Sequence, residues 1–181
     1  PYSAEWLSHT GAAEVIMRRE GTVMLPVGEV PVMVEKVFLL GSETLANSVA
    51  YRITNLSDID LKTRFGVEFN VNLLAGDAPD RYHEIDDVDL GDDNKMISVG
   101  AVPNARSFRV KDDWLRLTLE WYLTEPAEHW RLPVETVSNS EHGIERIYQS
   151  TVVMPVWNIW IAPGRSWEVA FDYSVLLDKD A

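Results

Sequence analysis

The sequence predicts an all-β chain arranged as an antiparallel two-sheet sandwich. Three observations carry this. Apolar residues recur with a period of two over long stretches, as strands require. Clusters of Gly, Pro, Asn and Asp separate those stretches. No segment joins a 3.6-residue period to helix caps. The nearest, "SETLANSVAYRI", passes into a two-residue period within a few positions. Long strands with clean in/out alternation favour two packed sheets. The absence of an internal repeat argues against a propeller.

Taken in order, short strands are expected at Ala13–Arg19 and Val32–Leu40. In "NSVAYRITN", Val49, Tyr51 and Ile53 face one way, and Ala50, Arg52 and Thr54 the other. In "LKTRFGVEFNVNL", Leu61, Thr63, Phe65, Val67, Phe69, Val71 and Leu73 form one face. Further short strands are expected at Met96–Val102 and Ser107–Val110. "WLRLTLEWYL" places Leu115, Leu117, Leu119, Trp121 and Leu123 together, opposite Trp114, Arg116, Thr118, Glu120 and Tyr122. Strands at Ile147–Met154 and Asn158–Ile161 precede "SWEVAFDYSVLL", where Trp167, Val169, Phe171, Tyr173 and Val175 share a phase. Turns fall at "TNLSDIDL", "LAGDAPDR", "DLGDDN" and "APGRSW". Trp121, Phe69 and Phe171 are expected on inner sheet faces because they share a phase with Leu117, Val67 and Val169.

The 181 residues suffice for one domain spanning 1–181 with a sizeable core. The net charge of −13, from 16 basic and 29 acidic residues, would repel a phosphate backbone and an anionic bilayer. Nucleic acid and membrane are therefore not expected partners. With no cysteine there is no disulfide framework, thiolate nucleophile or zinc–cysteine site, which fits a cytoplasmic location. No apolar run reaches the length of a membrane span, and "PYSAEWLSHT" lacks a basic n-region. The chain also starts without Met and ends just after a strand, so it is read as a domain of a longer polypeptide.

No dinucleotide, phosphate-loop, zincin or nucleophile-elbow motif occurs. His9, His83, His129 and His142 all lie in loop-like surroundings without metal-ligand spacing, and no metal or cofactor is expected. "EIDDVDLGDD" holds six acids in ten residues but fails the EF-hand pattern, and is read as a solvated loop. The polar strand faces are unusual. Glu68, Asn70, Trp114, Arg116 and Glu120 join planar polar groups to an aromatic ring, a combination suited to sugars, although ion pairs on a solvated sheet would look similar. "ETVSNSEHGIERIYQS", from Glu135 to Ser150, concentrates hydrogen-bonding groups: Glu135, Ser140, Glu141, Glu145, Tyr148 and Gln149. It is read as an irregular connection, with a turn at "EHGI" where Gly143 is free to take positive φ. A paired-carboxylate glycosidase site is conceivable from such residues, but sequence spacing does not set their separation.

Two blocks, "GVEFNVNLLAGDAPDRYHEI" and "WRLPVETVSNSEHGIERIYQSTVVMPVW", resemble the C-terminal β-sandwich domain of glycoside hydrolase family 57 enzymes, the α-amylase and 4-α-glucanotransferase type. The family's second block reads Trp-Arg-Phe-Pro-(Ile/Val)-Glu-Thr-(Val/Ile)-Ser-x-Ser-Glu-x-Gly-(Phe/Ile)-Glu-x-x-Tyr-Gln-Gly. Here Leu132 stands for Phe and Ser150 for the last Gly. The resemblance covers roughly residues 13–176. It implies a galactose-mutarotase-like supersandwich and a catalytic barrel, with both catalytic carboxylates, on the N-terminal side of this stretch. It therefore implies no catalytic residue here. The partners it implies are the barrel of the same polypeptide and an α-glucan. A weaker similarity, of "YRITNLSDIDLKTRFGVEFNVNL" to aldose 1-epimerases, puts Gly66 where those enzymes have a histidine, so the proton donor is missing. The expected function is an accessory domain of an α-glucan-acting enzyme. The alternatives are an independent carbohydrate-binding module and an epimerase-like enzyme.

Overall fold

In the computed structural model, which describes residues 1–9, 11–41, 46–140 and 143–177, strands account for nearly all regular structure. The strands are β1 (Ser3–His9), β2 (Ala12–Leu25), β3 (Gly28–Gly41), β4 (Ala46–Asn55), β5 (Leu61–Gly66), β6 (Phe69–Val71), β7 (Arg81–Ile85), β8 (Gly100–Asp112), β9 (Leu117–Ser140), β10 (Gly143–Ile161) and β11 (Ser166–Leu177). Among the described residues a single 3-10 turn occupies Gly91–Asn94. No helix among the described residues is long and apolar enough to cross a membrane.

The chain forms two compact units. One comprises Pro1–Phe65, Trp121–Glu125 and Asn158–Ser174. Its strands run β1–β2–β3–β4–β11, all antiparallel. Thr124 of β9 closes on β11, accepting from the Ala170 amide at 3.0 Å and donating to its carbonyl at 2.9 Å. The inner face carries Val49, Tyr51, Ile53, Val169 and Phe171. Tyr51 and Phe171 stack with centroids 6.0 Å apart, and Phe65 meets Tyr51 at 5.3 Å. Asn55, fully buried, donates to the carbonyls of Ile59 and Ile161 and accepts from Ser57, which fixes the turn after β4.

The second unit comprises Gly66–Glu120, Pro126–Trp157 and Val175–Ala181. Its strands run β6–β10–β9–β8–β7. Ile85, Met96, Phe108, Val110 and Val153 fill its core. A buried ion pair, Arg81 Nε to Asp112 Oδ2 at 2.9 Å, ties β7 to β8. Asp112 Oδ1 also accepts from the Leu115 amide at 2.8 Å and so caps the turn into β9.

The predicted phases hold for Trp121 and Phe171, which are buried; Phe69 is only half-buried, and Leu115 is exposed because it lies in the turn before β9. Several boundaries differ. "LKTRFGVEFNVNL" keeps its phase but breaks into β5 and β6, because Val67 N turns to the Pro155 carbonyl at 3.2 Å. No strand starts at Met96, which is buried inside a turn; β8 begins at Gly100 and absorbs the segment at Ser107. Trp114 and Arg116 lie in the β8–β9 turn rather than on a strand, and Arg116 takes a φ of 54° to close it. The two strands expected at Ile147 and Asn158 are one, β10. The stretch from Glu125 to Ser140, not predicted as strand, continues β9 through Pro126 and Pro133.

Candidate functional site

The polar segment Glu135–Ser150 is a two-stranded ribbon, not an irregular loop. β9 continues to Ser140 and β10 starts at Gly143, whose φ of 113° suits only glycine. Glu141 and His142 lie outside the described residues, and for Ser140 only the backbone is described. The register pairs Ile144 with Asn139, Arg146 with Val137, and Tyr148 with Glu135, after which a bulge at Gln149 shifts the ladder. Paired residues of an antiparallel ladder share a face. One face therefore carries Glu135, Val137, Asn139, Ile144, Arg146 and Tyr148. The other carries Thr136, Ser138, Glu145 and Ile147.

This geometry bears directly on the carboxylates. Glu135 and Glu145 stand on opposite faces of the ribbon, so they cannot flank one glycosidic bond as acid and nucleophile. Glu135 instead pairs with Arg146 at 3.3 Å. Gln149 Nε2 donates to Thr136 Oγ1 and to the Ile147 carbonyl, both at 3.3 Å, and so fastens the bulge. The Tyr148 ring packs on Gly76, where a Cβ would come within 2.7 Å. Its hydroxyl is buried without a hydrogen-bond partner, and burial pushes its pKa up to about 12. Most of the segment's polar groups thus fix the shape of the ribbon.

Its apolar side chains do the opposite and point outward. Ile144 is 76% exposed, Val137 64% and Ile147 51%, with Leu132 and Val134 also exposed near the base. Val137 and Ile144 share one face, and Ile147 lies on the other with Leu132 and Val134. A two-stranded ribbon is marginal by itself in water, and apolar side chains exposed on both its faces mark a contact surface.

The other predicted contact residues are not gathered on one strand face. Glu68 accepts from Asn70 Nδ2 at 2.7 Å. Glu120 is bound to Arg109 at 2.6 Å. Trp114, exposed in its turn, lies 5.7 Å from the Arg81 guanidinium. Gly66 packs beside Met154 and Val156 of β10, so the epimerase position offers no acid or base.

Two of the histidines are misplaced by the sequence reading. His83 lies in β7 and His129 in β9, both buried rather than in loops. The side chain of His9 is not described. In the acidic stretch, Asp86 accepts from the amides of Arg106 and Ser107 at 2.8 and 2.6 Å. Burial raises its pKa, but these bonds outweigh it and leave the carboxyl below its ordinary value. Among the described residues no group of three or more His, Asp or Glu is placed to hold a metal.

Two further surfaces carry chemistry. A recess of about 240 Å³ is lined by Glu35, Tyr51, Arg52, Thr124 and Glu168. Its charges are mutually satisfied: Arg52 Nε binds Glu168 at 2.7 Å and its Nη1 lies 3.7 Å from Glu35. On β5 and β10, Lys62, Arg64, Asn158 and Trp160 line an open groove of about 510 Å³. Trp160 is 67% exposed, with the Lys62 ammonium 4.8 Å from its ring centre.

Comparison with known proteins gives this geometry a context. Residues 1–171 match the family model described as "Alpha-amylase/4-alpha-glucanotransferase, C-terminal". An alpha-amylase of Dictyoglomus thermophilum is 29% identical over 140 residues, which cover 77% of this chain and 20% of that protein. A 4-alpha-glucanotransferase structure from Thermococcus litoralis superposes with a TM-score of 0.65 at 24% identity, over 96% of this chain and 22% of that one. A galactose mutarotase-like protein of Clostridium acetobutylicum superposes at 0.58 with 9% identity, over 98% of this chain and 67% of that one. The fold is therefore the galactose-mutarotase-like β-sandwich. The chain spans about a fifth of the length of the amylase and glucanotransferase relatives. By the match over residues 1–171, it belongs to the alpha-amylase/4-alpha-glucanotransferase C-terminal family.

Proposed function

We propose that this chain is the non-catalytic accessory C-terminal domain of an α-glucan-acting enzyme, and that its β9–β10 ribbon docks on the catalytic part of the same polypeptide. The single observation that carries this is the family match over residues 1–171 in a chain that covers only a fifth of its relatives. The ribbon supplies the means. Val137, Ile144 and Ile147 project apolar surface from a hairpin whose shape is held by Arg146–Glu135 and by the Gln149 bonds. Covering the Val137–Ile144 pair on one face, and Ile147 on the other where the partner wraps the ribbon, would contribute about 1.5–3 kcal/mol for each side chain at full burial.

The chemistry of acid–base sugar cleavage would then reside elsewhere in the parent. Glu135 and Glu145 cannot converge, and Gly66 has no proton to give. Incubating the chain alone with maltooligosaccharides, and with an anomerically pure aldose, tests this. Neither turnover nor faster mutarotation is expected. Turnover above buffer that disappears on Glu135→Gln or Glu145→Gln would reject the non-catalytic reading.

A second reading, weak contact with glucan, is favoured by Trp160. An exposed indole beside Asn158 and Arg64 can stack the C–H face of a glucose ring while the amide meets its hydroxyls. A shallow platform of this kind would bind at about 1 mM, near −4 kcal/mol. Maltotriose should then change tryptophan fluorescence saturably, with the change lost in Trp160→Ala. If Trp114→Ala abolishes it instead, the turn between β8 and β9 is the glucan contact.

A further inference from the structure

The unit built on β6–β10 buries three basic side chains, and among the described residues no acid hydrogen-bonds or ion-pairs with them. His129 and Arg131 alternate on one face of β9, and Thr151 of β10, opposite Pro133, shares that face. His83 enters from β7. Arg131 is 4% exposed, His83 2% and His129 not at all. Arg131 Nε donates to Ser98 Oγ at 3.1 Å, while its Nη1 is buried with no partner. No carboxylate of the described residues reaches Arg131 at ion-pair distance. His83 Nε2 meets Thr151 Oγ1 at 3.4 Å, and its Nδ1 has no partner. Neither ring nitrogen of His129 has one; the Phe108 ring covers that imidazole at 4.1 Å.

These orphans are unusual. More than about 90% of buried polar groups are satisfied. A buried guanidinium without a counter-charge costs several kcal/mol. The packing nevertheless seats it: a Cβ on Gly100 would come within 2.9 Å of Arg131 Nη2, so the guanidinium occupies space that only glycine leaves. Asp93 and Asp86 are the acids that act on Arg131 and His129 electrostatically, and neither is hydrogen-bonded to them.

We propose that Arg131, His129 and His83 form a binding site for a small oxyanion such as phosphate or sulfate. Arg131 Nη1 and one N–H of His129 are donors that lack acceptors, His83 Nδ1 becomes a third when the ring is protonated, and an oxyanion presents only acceptors. It also supplies the missing negative charge, which water cannot. A planar guanidinium suits tetrahedral oxyanions because its donors are held in a fixed fork. In the bound state both histidines would be easier to protonate, the reverse of what burial and mutual repulsion do to them in its absence.

The test uses the whole chain in two measurements. Thermal unfolding is followed with increasing phosphate or sulfate, with chloride at matched ionic strength as the control, for the parent sequence and for Arg131→Met. Crystals of the parent sequence are soaked in selenate and examined for anomalous scattering. The expected result is a saturable rise in the melting midpoint with phosphate, absent in Arg131→Met, and a selenium peak at about 4 Å from Arg131 Nη1, one bond beyond an oxygen at hydrogen-bond distance. A non-saturating rise shared with the variant or with chloride would overturn the proposal. So would a site holding only water. Should Arg131→Met fail to fold, the selenate map decides alone.

Discussion

Acid should destabilise this chain through His83 before its carboxylates contribute. Burial, reinforced by the positive charge of Arg131, lowers the His83 pKa from 6.5 to about 4. The imidazole is therefore neutral in the folded chain at moderate pH, whereas the unfolded chain takes up a proton with an ordinary pKa. A folded pKa below the unfolded one means that the unfolded state binds more protons in the interval between them. The stabilisation is complete above pH 6.5 and is lost as pH falls toward 4. At about 1.36 kcal/mol per pKa unit, the loss is roughly 2 kcal/mol by about pH 5 and roughly 3 kcal/mol by about pH 4. His129, pushed down to about 3 by burial and by the charges of His83 and Arg131, acts in the same direction. Asp86, whose carboxyl lies below its ordinary value, loses its contribution only at still lower pH. Urea unfolding at about pH 7.5 and about pH 5, in phosphate-free buffer, measures the effect. The parent chain should lose about 2 kcal/mol more over this interval than His83→Gln, which cannot take up the proton. Equal losses in the two chains would refute the assignment of a buried, neutral His83.

Three other outcomes follow from the packing. Trp121→Ala, at a buried site on β9, should cost about 3–5 kcal/mol in chemical denaturation. Asp112→Ala removes the buried one of Arg81's two carboxylate partners, leaving Asp80 at 2.8 Å, together with the acceptor of the Leu115 amide, and should cost about 2–3 kcal/mol by the same assay. Gly76→Ala places a methyl within 2.6 Å of Ile97 and 2.7 Å of Tyr148, and should lower stability by about 1–3 kcal/mol, with altered Tyr148 ring signals in NMR spectra.

Much of the fold is legible in the sequence because burial in a sheet is written with period two. Leu61, Val67, Val71 and Leu73 are buried in the phase that alternation assigns, even though the chain breaks at Val67–Glu68. The break itself depends on a long-range bond to Pro155, which no local pattern records. β9 is underread for a related reason. Pro126 and Pro133 are depleted in strands, so they hide that the phase of Trp121 and Leu123 continues through Ala127 to His129 and Arg131. Following that phase would have predicted both bases to be buried. The same underreading turned Glu135–Gln149 into a loop. Its polar composition resembles a connection, whereas the register with β10 makes it a ribbon whose side chains divide between two faces. The separation of Glu135 from Glu145 is a property of that register. Trp114 and Arg116 err the other way: their alternation matches a strand, but the Asp112 cap and the left-handed Arg116 make a turn.

Docking of the β9–β10 ribbon on the rest of a glucan-acting polypeptide is tested most directly by heat inactivation of the complete gene product. The measurement compares residual activity on maltooligosaccharides after heating, with and without the combined changes Val137→Ser, Ile144→Ser and Ile147→Ser. Those side chains are exposed in this chain, so its own melting midpoint should barely move, within about 0.5 kcal/mol per site. In the complete polypeptide the same changes should accelerate inactivation. Unchanged inactivation of the complete polypeptide would contradict docking through this ribbon.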